Sequence, residues 1–261
     1  MKRVLRKVRK IVARSVRLRR IMLKVRPDKR TSLAKHYLRG QGIEIGALHL
    51  PLVLPRGARA TYVDKVSVSE LRKQYPELRK YPFVRVDVID CGESLSRFSS
   101  ESQDFVVASH FLEHCKNPIL TLETFFRVLK LGGTLYLAVP DKRFTFDVDR
   151  PITLLEHILG DYAKGNAGSQ WEHYLEWARF VEKTPNETIE KRVEALISSD
   201  YSIHFHVWTY FEILELMLHL RRELTFDFEI EEFVLAGNEC IFILKKTGYK
   251  AGWDSMRDEH D

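Results

Sequence analysis

Residues 42–52, with the sequence GIEIGALHLPL, constrain the fold of this chain more than any other stretch. A short apolar run around Glu44 ends at Gly46, where the missing side chain lets backbone N–H groups approach a ligand closely. A second apolar run ends at Asp64, 20 positions after Glu44. Many such glycines are plain turns. An acid at this distance is nevertheless typical of α/β folds that hold the hydroxyls of a ribose, and this pair predicts a nucleoside site.

The length and the cysteines limit the class of protein. With 261 residues, the chain can form one sizeable α/β domain and an appendage. Its three cysteines, Cys91, Cys115 and Cys240, form no CxxC pair, which argues against a disulfide framework or a zinc site. Unpaired cysteines fit a reducing compartment, so we expect a cytoplasmic protein.

The positive charge is concentrated at the N-terminus. The chain has a net charge of +6, but residues 1–30 contain fourteen Lys or Arg and one acid, Asp28. The rest of the chain is therefore acidic. Because phosphate contacts need basic residues on the folded body, this distribution makes nucleic acid an unlikely partner of that body.

Residues 1–26 have the pattern of a basic amphipathic helix, with apolar and basic side chains on opposite faces. Such a helix can lie on an anionic membrane, which would place the protein peripherally on the inner face of the membrane. A disordered basic extension is the alternative. We divide the chain into a basic extension, 1–30, and a folded domain, 31–261. No apolar run reaches 18 residues, so we expect no membrane span.

From residue 38 onward, short apolar segments alternate with helical ones, which indicates a parallel α/β sheet. The helices are predicted at 66–74, 118–129 and 210–222. A segment at about 141–202 interrupts the alternation and is predicted to be an insertion or lid. The strands are predicted near 42–46, 60–64, 83–87, 104–109 and 134–139, with a final hairpin at 225–235 and 239–246.

The order of these features resembles that of the class I S-adenosylmethionine-dependent methyltransferases, over about residues 38–140 and 203–246. Residues 104–114, DFVVASHFLEH, and 127–133, RVLKLGG, are similar to segments around the fourth and fifth strands of that family. The resemblance implies a Rossmann-like α/β sheet that is mostly parallel with an antiparallel last strand. A helical insertion and a basic N-terminal helix or tail would complete the fold.

Three strings narrow the resemblance to a bacterial, type 11-like group of methyltransferases. They are EIGAL, FLEH and VPDKRFTFD. This group is often met among surface-polysaccharide genes, which suggests a sugar or glycan acceptor.

The resemblance implies that S-adenosylmethionine is the cofactor, and it assigns the residues that bind it. Glu44 and the backbone around Gly46 and Ala47 would hold the methionine moiety, which has a cationic amino group and a carboxylate. Asp64 would accept hydrogen bonds from both ribose hydroxyls.

The remaining cofactor contacts are expected after the third and fourth strands. Asp87 would bind the adenine amino group, with Asp90 as an alternative, and Val88 would pack on the ring. Ser109 and His110 would lie near the sulfonium.

One part of the sequence departs from the family pattern. Ala47, Leu48 and His49 follow Gly46 where relatives usually have further glycines. We therefore expect the first helix after β1 to begin late or to be distorted.

The acceptor site is expected where the fifth strand ends and within the insertion. The candidates for the general base are His110, His114, Asp141 and His206. A metal site is an alternative use of the His, Asp and Glu residues, but we expect none because thiolates and a recognised ligand spacing are lacking. The substrate-binding candidates are Lys142, Arg143, Asp147, His173, Trp177 and His204.

Three functions follow from this reading. The first is methyl transfer to a hydroxyl, or less favourably an amine, of a small molecule or glycan. The second is methylation of RNA recruited by the basic tail. The third is a non-catalytic protein that binds the nucleoside and tethers partners to a membrane. The sequence does not indicate the oligomeric state.

Overall fold

A computed structural model of the protein describes residues 28–248, which form a seven-stranded sheet. The strand order is β3-β2-β1-β4-β5-β7-β6, and β7 runs antiparallel to both of its neighbours. The predicted Rossmann-like sheet with an antiparallel last strand is confirmed. The strands are β1 (Gly40–Ile45), β2 (Ala58–Asp64), β3 (Val88–Ile89), β4 (Gln103–Ser109), β5 (Leu129–Pro140), β6 (Phe228–Leu235) and β7 (Glu239–Lys246).

Seven α-helices accompany this sheet within the described residues. The fourth, fifth and sixth lie in the segment that was predicted as a helical insertion. The seventh has the predicted bounds and begins with a capping box between Thr209 and Glu212. The helices are α1 (Lys29–Tyr37), α2 (Val68–Gln74), α3 (Pro118–Val128), α4 (Leu155–Lys164), α5 (Gln170–Phe180), α6 (Ile189–Ser198) and α7 (Tyr210–Arg222).

Apolar side chains cover both faces of the central strands, as a parallel sheet requires. In β4, Phe105 and Val107 belong to the apolar cluster that includes α1, whereas Val106 and Ala108 belong to the cluster that includes α3 and α7. A third, smaller cluster is formed by α5, α6 and the segment at 203–205. The insertion therefore has its own apolar core.

The connection from β1 to β2 contains no helix. A late or distorted helix was predicted here, but residues 46–57 form turns and extended chain. Leu48 has a φ of +48°, and Pro51 and Pro55 interrupt any helical hydrogen bonding. Glu44 also accepts a hydrogen bond from the backbone N of Leu52, at 2.7 Å, which holds the segment against β1.

The third strand is shorter and later than predicted. Residues 83–87 are not assigned to a strand. The N–H of Val84 donates to Leu48 O in the segment after β1, and the N–H of Asp87 donates to Tyr62 O of β2. Pairing with β2 is limited to Val88 and Ile89.

The basic segment at 1–26 lies outside the described residues, and its helix and its membrane role stay predictions. The described part begins with Asp28, whose side chain caps α1 by accepting from Thr31 N at 2.8 Å. None of the helices between residues 28 and 248 is long and apolar enough to cross a membrane.

Candidate active site

A cavity of about 170 Å³ opens at the carboxyl ends of β1, β2 and β3. Open α/β sheets bind their ligands at this edge, where the strand order reverses. Gly46, Asp64 and His110 line the cavity, as the sequence predicts for a cofactor site. A second cavity adjoins it along Ile45, Gly46, Leu48, His110 and His114, which line both.

Glu44 lies on the second cavity and is 1% exposed. Its Oε1 is held by Leu52 N, whereas its Oε2 makes no hydrogen bond. Burial raises the pKa of Glu44 to about 7, although Leu52 N and the charge of Arg30 oppose the shift. A buried acceptor without a partner, on a cavity wall, suits a cationic ligand group such as an ammonium.

The predicted neighbours of Glu44 lie on the same cavity. Gly46, Ala47 and Ser109 line it together with Glu44. Gly46 has a φ of +63°, a conformation that favours glycine and turns the chain sharply at the end of β1. The predicted methionine end is therefore assembled in one place.

Asp64 is the last residue of β2 and lines the first cavity. Its Oδ1 accepts from Lys65 N at 2.8 Å. Burial raises the pKa of Asp64, and the hydrogen bond and charge of Lys65 oppose this. The carboxylate keeps free acceptor capacity for the vicinal hydroxyls of a ribose.

Asp87 and Val88 are not among the residues that line either cavity. Asp87 instead accepts from Tyr62 N at 3.1 Å, and Arg85 lies 3.5 Å away. Val88 packs against the apolar core. The carboxylate of Asp90 is also engaged within the protein, since it accepts hydrogen bonds from Ser96 and from backbone N–H groups. The structure thus does not bring the predicted adenine contacts to the cavity.

The wall that replaces them is formed by Cys91, Gly92 and Glu93, directly after β3. A side chain at Gly92 would lie 2.5 Å from Phe111 Cζ and 2.6 Å from Ile45 Cγ2. Only glycine fits between these side chains. This wall was not predicted from the sequence, although Gly92, three residues after β3, was a signal for it.

His114 lines both cavities, and its neighbours determine its tautomer. Its Nδ1 lies 2.9 Å from the carbonyl oxygen of Ile203, which can only accept, so Nδ1 carries the proton. Burial, reinforced by the charge of His204, lowers the pKa of His114 to about 3. At neutral pH the ring is neutral and its Nε2 is a hydrogen-bond acceptor.

His110 also lines both cavities and adopts a φ of +52°, which is uncommon for a residue with a side chain. Its Nε2 lies 2.8 Å from Glu239 Oε2, and its Nδ1 lies 3.6 Å from Glu113 Oε1. Glu239 also pairs with Arg30. Burial raises the pKa of Glu239, but the hydrogen bonds from Arg30 and His110 outweigh it and leave this pKa below its usual range.

Glu113 is a functional candidate that the sequence analysis missed. It is fully buried, neither carboxylate oxygen has a hydrogen-bond partner, and burial raises its pKa despite the charges of His204 and His110. Ligand-type atoms of Glu113, His114 and His204 all lie within 4.8 Å of one another. The string Phe-Leu-Glu-His was recognised as part of the family resemblance, but no role was assigned to its glutamate.

A buried polar network lies behind His114. Asp147 Oδ2 is 2.7 Å from His204 Nδ1, and Asp147 Oδ1 accepts from Arg150 at 3.0 Å. Arg150 also donates to Glu176 Oε1 at 2.8 Å. The ring of Trp177 lies 6.4 Å from that of His204. The structure therefore brings together Asp147, Trp177 and His204 of the predicted acceptor residues.

Five other predicted acceptor or base residues lie elsewhere. Asp141 and Arg143 form a salt bridge at 2.6 Å. Burial raises the pKa of Asp141, but the contact with Arg143 outweighs burial and leaves this pKa below its usual value. The Lys142 Nζ donates to Val148 O at 2.9 Å. Neither cavity is lined by Asp141, Lys142, Arg143, His173 or His206.

His173 and His206 belong to a separate cluster with His157 and Asp161, formed by the insertion and the segment directly after it. Burial lowers the pKa of His173 to about 4 and that of His206 well below its usual value. The sequence analysis did not predict this cluster, whose members come from distant positions in the chain.

The geometry defines a nucleoside-cofactor-binding α/β enzyme of the methyltransferase type. The ribose acid at the end of β2, the sharp glycine turn after β1 and the unpaired Oε2 of Glu44 fit S-adenosylmethionine. This cofactor supplies an activated methyl group when it is bound.

Comparison with protein families agrees with this definition. Residues 40–137 match the family described as "Methyltransferase domain". These residues carry a class I S-adenosylmethionine-dependent methyltransferase domain, with S-adenosylmethionine as its cofactor. A comparison with curated protein sequences finds no match.

Solved structures resemble this chain at low sequence identity. One from Rhodobacter sphaeroides, assigned to the Zn-dependent alcohol dehydrogenases, is 14% identical with a TM-score of 0.51, covering 84% of this chain and 90% of that one. A Thermotoga maritima S-adenosylmethionine-dependent methyltransferase is 16% identical with a TM-score of 0.41. The match covers 80% of this chain and 83% of that one. The CurJ carbon methyltransferase is 13% identical with a TM-score of 0.42. The match covers 81% of this chain but only 49% of the CurJ chain.

Proposed function

We propose that this methyltransferase acts on a hydroxyl group of a small molecule or glycan. The observation that carries the proposal is the position of His114 at the junction of the two cavities, with Nε2 unprotonated. A hydroxyl must lose its proton as it is methylated, so it benefits from a positioned base. An amine that arrives neutral needs no base before it attacks.

The junction is where the transferred methyl group is expected. Glu44 and Ala47 line one cavity and Asp64 the other, while His110 and His114 line both. In S-adenosylmethionine the sulfonium joins the methionine part to the ribose. A cofactor with its amino group at Glu44 and its ribose at Asp64 would therefore have its sulfonium beside the two histidines.

The surroundings of His114 keep its ring neutral. Burial and the charge of His204 hold its pKa at about 3, so Nε2 is unprotonated, and the charge of Asp147 opposes this shift. The carbonyl oxygen of Ile203 accepts from Nδ1 of His114 and fixes the orientation of the ring, so Nε2 stays available to accept a proton. Much of the remaining rate enhancement would come from holding the acceptor in line.

Aromatic side chains beside the histidines support a sugar as the acceptor. The ring of Phe146 lies 4.8 Å from that of His204 and 5.7 Å from that of Trp177, and Phe146 is 55% exposed. An exposed aromatic ring next to polar groups suits the apolar face and the hydroxyl edge of a sugar. The resemblance to a group met among surface-polysaccharide genes points in the same direction.

The experiment is a transfer assay with labelled S-adenosylmethionine against two matched acceptor panels. One panel contains nucleotide sugars and oligosaccharides, and the other contains amines of similar size. We expect product with a hydroxylated acceptor, and a His114→Gln variant with kcat reduced about 10²-fold or more. His36→Gln, on the exposed surface of α1, is the control. Transfer to amines alone, or full activity in His114→Gln, would refute the proposal.

RNA is the acceptor that this assay must also exclude. The chain without residues 1–30 is compared with the full chain on total RNA at low and moderate salt. Methylation of RNA that depends on residues 1–30 and falls steeply with salt would replace the glycan proposal by the RNA hypothesis.

A further inference from the structure

The insertion and the segment directly after it contain a cluster of four metal-ligand side chains that the methyl-transfer site does not use. His157 and Asp161 lie one turn apart on α4, His173 lies on α5, and His206 lies in the extended segment before α7. Each residue presents one ligand atom, and these four atoms lie within 4.8 Å of one another. Two helices of the insertion and the segment that follows it thus converge on one point.

The three distances among His157, His173 and Asp161 suit a tetrahedral metal centre. The Nε2 atoms of His157 and His173 are 3.1 Å apart, and Asp161 Oδ2 lies 3.3 Å from the first and 3.6 Å from the second. Zinc bound to nitrogen and oxygen at about 2.0–2.2 Å in tetrahedral geometry places its ligand atoms roughly 3.3–3.5 Å apart. These three atoms would form one face of such a tetrahedron, and His206 supplies the fourth ligand.

The unsatisfied polar atoms of the cluster point to a ligand. His206 is fully buried, and neither of its ring nitrogens has a hydrogen-bond partner. Asp161 is 5% exposed, and its Oδ2 makes no hydrogen bond. Buried polar atoms in native structures are nearly always paired, and a cation between these groups would pair them all.

The surroundings of the cluster suit a cation as well. Asp161 Oδ1 accepts from Ser169 Oγ at 2.6 Å, a contact that orients the carboxylate so that Oδ2 faces the histidines. A surface cavity lined by Glu156, Glu172 and Glu176 leads to His157 and His173. Its acidic mouth would attract a divalent cation and give it access to the half-exposed His157.

We propose that His157, Asp161, His173 and His206 bind one zinc-type divalent cation. Three imidazoles and one carboxylate are borderline ligands that suit Zn²⁺ better than Mg²⁺ or Ca²⁺. Four protein ligands leave no open position, which is typical of a structural site. The cation would join α4 and α5 to the segment of His206. That segment also contains His204, so the metal would fix the wall behind His114.

This proposal departs from the sequence-based expectation of no metal. The cluster has no thiolates, and its ligands are spread over fifty positions, from 157 to 206. Only the i, i+4 pair on α4 is a local signal. The second group of ligand-type residues, Glu113, His114 and His204, adjoins the cofactor cavities and belongs to the methyl-transfer site.

The test measures metal content and does not depend on methyl transfer. Full-length protein is purified without added metal, analysed by mass spectrometry of its metals, stripped with a chelator and titrated with Zn²⁺ and Co²⁺. We expect one zinc per chain, strong visible absorption typical of four-coordinate Co²⁺, and a melting temperature that falls by several degrees after stripping. A protein that retains no transition metal and binds neither cation would overturn the proposal.

Variants locate the site. Asp161→Ala and His206→Asn should each lower Co²⁺ affinity at least tenfold, whereas His114→Gln, in the other group, and the surface variant His36→Gln should leave it unchanged. If a core variant fails to fold, His157→Gln at the half-exposed ligand gives the same comparison. Unchanged metal binding in Asp161→Ala, or in His157→Gln, would overturn the assignment of these ligands.

Discussion

The carboxylate of Asp147 and the imidazole of His204 are 57 residues apart in the chain and 2.7 Å apart in the structure. The other oxygen of Asp147 accepts from Arg150, which is fully buried. Burial raises the pKa of Asp147, but these two partners outweigh it and leave the pKa below its usual range. One ionised carboxylate therefore connects the loop after β5 to the segment that contains His204.

We predict that Asp147→Asn destabilises the protein by on the order of 3 kcal/mol. The change leaves the buried Arg150 with one carboxylate partner in place of two, and an incompletely compensated buried charge is costly. Denaturant unfolding measures the effect. The control is Asp149→Asn, whose exposed carboxylate pairs with Lys183 at 2.8 Å and which should unfold like the wild type. Equal effects of the two substitutions would contradict the prediction.

A second prediction concerns the ribose site. Asp64→Ala should weaken the binding of S-adenosylmethionine about 100-fold or more, because two hydrogen bonds to an ionised acceptor are lost, each worth about 1.5–3 kcal/mol. Asp87→Asn should leave the affinity unchanged, since Asp87 does not line the cavity. Calorimetric titration measures both. If Asp87→Asn lost as much affinity for S-adenosylmethionine as Asp64→Ala, Asp87 would contact the cofactor, as the sequence predicted for the adenine site.

The sequence predicts the sheet and one end of the cofactor site well, because both depend on local patterns. Apolar runs locate β1, β2, β4 and β7 to within two residues, and the resumed alternation locates α7. Gly46 and Asp64 each stand at a strand end, so a sequence that places the strands also places these residues at the edge of the sheet. The expected strand at 83–87 is not formed, and the backbone N–H of Val84 bonds to the distant Leu48 instead, a tertiary contact that a local pattern does not reveal.

The acceptor side could not be predicted to the same depth, since it depends on tertiary contacts between distant segments. Glu113 resembles any glutamate in an aromatic segment until the fold buries it between His110 and His204. His204 and His206 alternate along one segment, yet they join different groups of side chains. Spacing alone does not say which partners the insertion brings to each histidine.

A third prediction tests the wall after β3. Gly92→Ala should destabilise the protein by about 1–3 kcal/mol and weaken cofactor binding, because the new methyl group would overlap Phe111 and Ile45. Gly160→Ala on α4 meets no atom within 4 Å and should stabilise the helix slightly. Thermal unfolding and cofactor titration compare the two. Normal affinity in Gly92→Ala would show that the cofactor does not use this wall.

The last prediction follows from the raised pKa of Glu44, which changes from 4.5 in the unfolded chain to about 7 in the folded protein. Between these pH values the folded state holds a proton that the unfolded state has lost. Stability should therefore fall as pH rises from about 4.5 and level off above about 7. A shift of this size amounts to about 3 kcal/mol in total.

Cofactor binding should have the opposite dependence on pH. The cationic amino group of S-adenosylmethionine favours the ionised form of Glu44, so affinity should rise between pH 5.5 and 7.5 and binding should release a proton at the lower pH. In Glu44→Gln, which can still accept from Leu52 N, both dependences should disappear and affinity at pH 7.5 should fall. Titrations in two buffers with different ionisation enthalpies, together with urea unfolding across this pH range, measure the two effects. A wild type and a Glu44→Gln variant with parallel pH profiles would mean that Glu44 neither titrates in this range nor contacts the amino group.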